Sequence, residues 1–301
     1  MAVAANTTMC HLLAGLAPDS LGRAPFIPLS RFGERYSARE LELPFDGTVY
    51  IAPAVSGYVG GDITADLLWT QLDRAERPTL LIDVGTNGEM LLAHGGEIGA
   101  CAAAAGPAFE GAHIACGMGG APGAIRRARR LEDGQWELSV VGDGAPRGLC
   151  GSGLIDAIAG LLASGGIDET GRLAEEVSFA PGVYLTQQDV REVQLAKGAI
   201  AAGIELLMRE MGVAEIDECY LAGGFGSAID PASALAIGLL PESLAGKIVP
   251  IGNAAGMGAV EMLLSRAARE RAQAIAARAR YIELSELEDF QDAFVEHMLF
   301  E

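Results

Sequence analysis

The sequence predicts an α/β protein built as two lobes, and three observations carry that expectation. Half of its 301 residues are hydrophobic and 40 are glycine, which provides apolar surface for two separate cores. Short apolar runs of strand length alternate with stretches of helical periodicity. Three glycine turns end a buried run or open a helix: Asp83-Val84-Gly85-Thr86-Asn87-Gly88, Gly151-Ser152-Gly153 and Leu221-Ala222-Gly223-Gly224.

Taken in order, Met1 to Ala5 is strand-like and runs into Asn6-Thr7-Thr8, an N-cap signal for a helix ending near Gly15. A chain that opens in mid-strand is expected to be a piece of something longer. Residues 17–47 carry Pro18, Pro25, Pro28 and Pro44 and form an irregular surface excursion with room for a short edge strand. Val49 to Val55 is the next buried strand, and Ser56 to Asp62 opens a helix reaching Asp73. The run Leu80 to Asp83, the small loop after it and the run Met90 to Leu92 then describe a tight hairpin. Gly85 and Gly88 permit φ > 0 and close backbone approach, so amides can converge on an anion. Asp83, at a strand end, is placed to hold Mg²⁺ through water. An Asn-Gly turn with no ligand accounts for the same residues.

A strand from Glu97 to Ala104 follows, and Gly106-Pro107-Ala108-Phe109-Glu110-Gly111 reads as a loop entering a helix, the start of a repeated unit. Trp136 to Val141 alternates as an edge strand does. Gly148 to Gly153 precedes a helix from Leu154 to Leu162, the shape of a helix N-terminus offered to an anion or of a helix start that simply packs closely. Residues 165–185 are a loop. Thr186, with Asp189 as capping-box partner, begins a long amphipathic helix to Met211. Glu218 to Ala222 is a strand that stops at Gly223-Gly224-Phe225-Gly226-Ser227. Asp230-Pro231 starts a helix, Ile248 to Ile251 is a strand, and Gly252 to Ala259 leads into one long Ala/Arg/Glu helix. The tail from Tyr281 is a strand and a terminal helix.

Composition excludes several functions. Acidic residues outnumber basic ones by 40 to 21, for a net charge of −19, which argues against nucleic-acid binding. The one basic cluster, Arg126 to Arg130, is expected to be a solvated helix face. Five cysteines are scattered without a C-x-x-C pair, so neither an iron–sulfur nor a zinc site is legible and a reducing, cytoplasmic setting is expected. No apolar run approaches the roughly 20 residues of a membrane span. His94 and His113 have no second histidine at metal spacing, and Cys150 suits a small buried residue better than a nucleophile.

Together, the three turns resemble the second phosphate loop, helix-start loop and adenosine loop of the acetate and sugar kinase, Hsp70 and actin superfamily. More closely, NTTMCHLLAGLAPDSLGRAPFIP, LLIDVGTNGEM, AAGPAFEGAHIACGM, LCGSGLIDA, REVQLAKGAI, YLAGGFGS and IGNAAGMGA resemble the C-terminal ATPase region of the reductive activators of corrinoid proteins. In that family a ferredoxin-type domain carries the electron and the ATPase region drives it uphill to a cobalamin cofactor. The resemblance implies two ribonuclease-H-like lobes, the first incomplete at its N-terminus. Residues 1–79 would be its last two strands and helices plus the Pro-rich excursion, and residues 80–301 the second lobe with the nucleotide loops.

For the site, it implies Mg-ATP. Asp83 would bind Mg²⁺ through water, and Gly85, Thr86, Asn87 and Gly88 would hold the β- and γ-phosphates. Gly151 and Ser152 would donate N–H groups while Gly153 lets the backbone pass. Gly223, Gly224 and Phe225 would face adenine and ribose. Asp62 and Glu110 are the catalytic candidates, although an acid in a helix's first turn also favours the macrodipole without a ligand. The implied partners are a corrinoid protein, a ferredoxin-type domain of the full-length protein and a second copy in a homodimer. No iron–sulfur cluster in this chain, no nucleic acid and no membrane are expected.

Two departures stand out. The family's fold opens with another Asp-x-Gly-Thr hairpin, and Asp46-Gly47-Thr48 is no substitute, because it precedes its strand instead of ending it. The ferredoxin cysteines also have no counterpart. Two rival readings follow: a non-enzymatic, degenerate actin-like domain for docking or dimerisation, and a kinase of small acids or sugars, for which no substrate loop is evident. With one phosphate hairpin in place of two, the chain is expected to bind Mg·ATP weakly and hydrolyse it slowly or not at all. Calorimetry returning a sub-micromolar dissociation constant would contradict this.

Overall fold

A computed structural model describes residues 1–300. β1 (Ala2–Val3) leads into α1 (Thr7–Leu13), whose cap is Asn6: its side chain accepts the Met9 amide at 2.8 Å. The Pro-rich excursion does hold an edge strand, β2 (Arg35–Ser37), which lies antiparallel to β3 (Thr48–Ile51), and β3 in turn lies parallel to β1. α2 (Gly61–Thr70) starts later than the sequence suggests. The Ser56 hydroxyl accepts the amides of Tyr58 and Val59, a local turn that competes with helix until Gly60.

Next come β4 (Thr79–Val84), β5 (Gly88–His94) and β6 (Glu97–Ala103), an antiparallel meander with Leu81 opposite Leu91 and Asp83 opposite Glu89. β7 (Ala124–Arg130), β8 (Trp136–Val140) and β9 (Gly148–Leu149) form a small sheet ahead of α3 (Gly151–Ala163). The arginine cluster therefore lies on a strand, β7, and not on a helix face. Within the expected loop at 165–185 sits a hairpin, β10 (Val177–Ala180) and β11 (Val183–Leu185). α4 (Gln187–Glu210) carries the expected Thr186/Asp189 capping box. β12 (Glu218–Ala222), α5 (Gly223–Gly226), α6 (Pro231–Ala236) and β13 (Ile248–Gly252) follow. The last elements are α7 (Ala254–Leu264), α8 (Arg266–Arg278), β14 (Arg280–Tyr281) and α9 (Phe290–Glu296).

The main sheet has the order β13-β12-β4-β5-β6-β14, with β12 parallel to both β4 and β13. A meander with parallel strands added beside its first strand is the ribonuclease-H-like plan expected of the second lobe. In the smaller sheet, β1 and β3 are also a parallel pair. Strand alternation sorts the two faces. Leu80, Ile82, Met90 and Leu92 pack on α3 and α4 through Ile155, Ile158, Ile200 and Ile204. Leu81 and Leu91 pack on α2, α7 and α8 through Ile63, Leu67, Met262 and Ile275.

Two expectations fail for local reasons. The segment after Gly106 makes only one 3-10 turn, Pro107–Glu110, because Gly111 adopts φ 87° and ends it. The long C-terminal helix is two helices, broken at Ser265, which is extended (φ −127°, ψ 128°) and caps α8 by accepting the Ala268 amide at 3.2 Å. α7 and α2 cross so closely that a Cβ on Gly258 would lie 2.2 Å from the Ala65 carbonyl oxygen. Gly258→Ala raises helix propensity by about 1 kcal/mol, yet backbone cannot yield as a side chain does. A net loss of about 1–3 kcal/mol is expected in urea denaturation.

Candidate functional site

The parallel strands of the main sheet end level with one another. Asp83 pairs with Ala222 and Ala222 with Gly252, so three loops leave from one edge, the carboxyl edge where open α/β sheets bind ligands. Gly223 has φ 78°, and a Cβ there would sit 2.5 Å from Asp83 Oδ1, so the adenosine-type turn rests on the aspartate only because residue 223 lacks a side chain. The Gly252 amide donates to Ser227 Oγ at 2.9 Å, tying in a third loop that the sequence reading had not assigned to the site.

The hairpin turn joins from the other side. Gly106 N–H donates to the Thr86 carbonyl at 3.0 Å, and Thr86 Oγ1 donates to Glu110 at 2.7 Å. Beside Glu110, Phe109 stacks on Phe225 with ring centroids 5.5 Å apart. Gly151 lies beneath both, where a Cβ would come within 2.1 Å of the Phe109 carbonyl oxygen and 2.5 Å of the Phe225 ring. Contacts thus run in a closed circuit through Thr86, Glu110, Phe109, Phe225, Gly223 and Asp83. All three turns singled out in the sequence meet here.

Individual residues depart from the sequence reading. Neither Gly85 nor Gly88 has positive φ. The Gly85 amide donates to the Asn87 carbonyl at 2.8 Å within the turn, so it is not free to meet an anion. Gly88 is buried because α4 is close: a Cβ would lie 2.8 Å from Ile200 Cγ1. Gly153 makes room for the Ile125 carbonyl oxygen, 2.1 Å from a Cβ position, and the buried Ser152 hydroxyl donates to the Arg126 carbonyl at 2.9 Å. At the start of α3, Cys150 is buried and provides no side-chain cap, which leaves the first-turn amides without a side-chain acceptor. Gly224, in contrast, is exposed and a Cβ there would meet nothing within 4 Å. Glu110 is exposed at the end of a single 3-10 turn, too short for the macrodipole explanation. His94 and His113 are both exposed.

Electrostatics add two residues that the sequence reading missed. Asp83 and Glu89 face each other across the hairpin, on the side of the sheet that carries Leu81 and Leu91. α2 covers that side and brings Asp62 and Asp66, one helical turn apart. Asp66 is fully buried and neither carboxylate oxygen has a hydrogen-bond partner. Burial, then the neighbouring acids, push Asp62 up to about 6 and Glu89 up to about 9. Asp66 is raised well above the carboxylate range by burial and by Asp83, Asp62 and Glu89, and burial raises Asp83. The i, i+4 spacing of Asp62 and Asp66 was the available signal. Along α3 a cavity of about 810 Å³ opens, where Arg127 Nη1 reaches Asp156 at 3.4 Å and Asp230 at 3.3 Å.

Residues 77–301 match the family model described as the C-terminal domain of RACo, the ASKHA domain, and residues 1–75 match the RACo middle region. The chain belongs to the RACo family. Among RACo-like proteins it is similar to the corrinoid activation enzyme RamQ of Eubacterium limosum, 36% identical over 98% of this chain and 55% of the relative. It also resembles the [Co(II) methylated amine-specific corrinoid protein] reductase of Methanosarcina barkeri, 31% identical over 78% of this chain and 46% of that protein. A solved reductive activator for corrinoid, iron–sulfur protein superposes with a TM-score of 0.91 at 36% identity, over 99% of this chain and 52% of the other. The chain spans about half the length of these relatives. The RACo assignment agrees with the actin-like plan of the main sheet. Among the described residues no helix is long and apolar enough to cross a membrane.

The carboxylate cluster makes stability depend on pH with a definite sign. Unfolded carboxyls titrate near about 4, whereas these titrate higher when folded, so between the two values the folded state binds more protons. Stability from this source therefore falls as pH rises above about 4, with Asp62 contributing up to about 6 and Glu89 up to about 9. Urea midpoints are expected to drop from pH of about 5 to about 9, and Glu89→Gln to flatten the upper part of that decline. Equal slopes for the two proteins would contradict the placement of Glu89.

Proposed function

We propose that this chain is the ATP-binding and ATP-hydrolysing portion of a reductive activator that returns an inactivated corrinoid protein to its reduced state, with the electron delivered by a separate iron–sulfur domain. The observation that carries the reading is the closed circuit of contacts joining the three turns at the carboxyl edge of the sheet, in a chain of the RACo family. The residues suit Mg-ATP. Asp83 offers a hard oxygen donor at a strand end with no basic partner, and the uncapped first turn of α3 offers amides for phosphate. Bound Mg²⁺ would supply charge neutralisation at the phosphates.

The chain's own groups then divide the work. Thr86 and Asn87 present the hairpin turn to the phosphates, with Glu110 fixing the Thr86 hydroxyl. Phe225, steadied by Phe109, gives a flat apolar wall beside the base, and the open side of Gly224 admits the ribose. Asp62 approaches Asp83 from α2, the helix that follows β3 of the smaller sheet. We assign residues 1–79 to the first lobe, so that nucleotide would report to both lobes through α2. Nucleotide shifts the lobe arrangement only by its differential affinity for open and closed states. A docked corrinoid protein would be held for reduction in one of them, in a cytoplasmic homodimer.

Gly224 allows a clean test. Because a Cβ at residue 224 meets no neighbour, Gly224→Val is expected to fold with an unchanged melting temperature while Mg·ATP affinity falls about tenfold, a loss of about 1.4 kcal/mol. Calorimetry giving equal affinity for the two proteins would overturn the placement of the nucleotide.

A further inference from the structure

We infer that the cavity along α3 is a binding site for a small organic monocarboxylate, anchored by the guanidinium of Arg130. The cavity lies between the β7–β8 hairpin and α3, with Leu138 on one side and Ala159, Gly160 and Ala163 on the other. Gly160 stands nine residues beyond Gly151 on α3, about 13 Å at a rise of about 1.5 Å per residue. The space is therefore separate from the three turns that meet around Phe225. Its volume of about 810 Å³ falls within the range of small-molecule sites, about 300–1,000 Å³.

Arg130 is positioned firmly and left without an acceptor. Trp136 is its cross-strand partner, and the guanidinium lies over the indole, 4.9 Å from the ring centroid. Phe179 of β10 braces the indole edge-on, with centroids 4.9 Å apart. A Cβ on Gly160 would lie 3.1 Å from Arg130 Cβ and 3.2 Å from Trp136 Cζ3, so the glycine lets the pair settle onto α3. Stacking orients the guanidinium but accepts none of its hydrogens. Arg130 Nε and Trp136 Nε1 are both buried without a hydrogen-bond partner, and among the described residues no carboxylate pairs with Arg130. Other arginines packed against the protein are satisfied: Arg31 donates to the Ala54 and Ala276 carbonyls at 3.1 and 2.9 Å, and Arg271 and Arg278 meet Asp73. Leaving a charged donor buried and unpaired costs more than leaving a neutral one, and an anion on the Nε edge would remove that cost.

The neighbouring charges select the anion. Arg127 is matched by Asp156 and Asp230, and Arg129 by Glu137 at 3.6 Å. Among the described residues Arg130 is thus the lining cation with no acid of its own, and Glu132, exposed just after β7, is the lining acid with no base. One negative charge on a ligand is met by Arg130, whereas a second would face Glu132 in a chain of net charge −19. A carboxylate accepts two parallel N–H bonds from a guanidinium fork, so one oxygen takes the buried Nε and the other a terminal nitrogen. A short aliphatic body then lies against Leu138, Ala159 and Ala163.

The test titrates hexanoate, with adipate and inorganic phosphate for comparison, into nucleotide-free protein carrying isotope-labelled indole nitrogens at its two tryptophans. Hexanoate is expected to shift the Trp136 resonance saturably while Trp69, on α2, stays in place. Adipate and phosphate should bind at least about tenfold more weakly, because each brings a second charge. Arg130→Met is expected to weaken hexanoate binding about 10–100-fold with its circular dichroism unchanged. Ala163→Leu, which keeps Arg130 and fills the cavity, is the second variant should Arg130→Met misfold. Gly224→Val should bind hexanoate as wild type does, so failure of the nucleotide reading and failure of this site are told apart. Absence of a saturable shift at Trp136, or equal hexanoate affinity in wild type and both variants, would overturn the site. Tighter binding of adipate or phosphate than of hexanoate would overturn the choice of a monocarboxylate.

Discussion

The parallel pairing of β12 with β4 and β13 is the constraint on which the rest depends. It sets Asp83, Ala222 and Gly252 level, so whatever follows each strand must leave at the same place. A Cβ on the residue after Ala222 would collide with the Asp83 carboxylate, and glycine at 223 both avoids the collision and permits the left-handed turn. From that one accommodation the Phe225 ring is delivered to Phe109, and the 3-10 turn carrying Phe109 delivers Glu110 to Thr86. Side-chain chemistry at the site is sparse because backbone and glycine occupy most of it.

α2 is the other organising element. Its Ile63 and Leu67 belong to the core over Leu81 and Leu91, while Asp62 and Asp66 extend the same side over Asp83 and Glu89. The apolar half anchors the helix strongly enough to hold the acidic half against its own repulsion. The helix follows β3 of the smaller sheet and crosses α7 at Gly258, so the acidic cluster sits on the element that joins the two sheets.

Much of this was legible beforehand where the cause is local. Asn6 and Thr186 capped the helices they were expected to cap, because a capping side chain bonds within three residues of itself. The strands ending at Asp83 and Ala222 were visible as apolar runs closed by glycine. The breaks at Ser265 and Gly111 were equally local, yet they were overlooked because an Ala-rich pattern and a Pro-containing loop each suggested continuous helix. The strand character of Trp136 to Val140 is legible from its alternation, but nothing in Arg126 to Arg130 itself shows that this run pairs with it as β7.

Composition and periodicity by themselves determined the α/β plan, the acidic character and the three glycine turns, since strand length, charge and turn preference are properties of neighbouring residues. Only the tertiary structure decided which glycines serve packing and which stand open. Gly88 and Gly153 are spent on Ile200 and the Ile125 carbonyl, whereas Gly224 faces empty space, and a missing side chain does not reveal what lies opposite it. The same holds for Asp66 and Glu89. Their meeting with Asp62 and Asp83 depends on strand register and on the seating of α2, and long-range pairings of that kind leave no mark in the residues on either side.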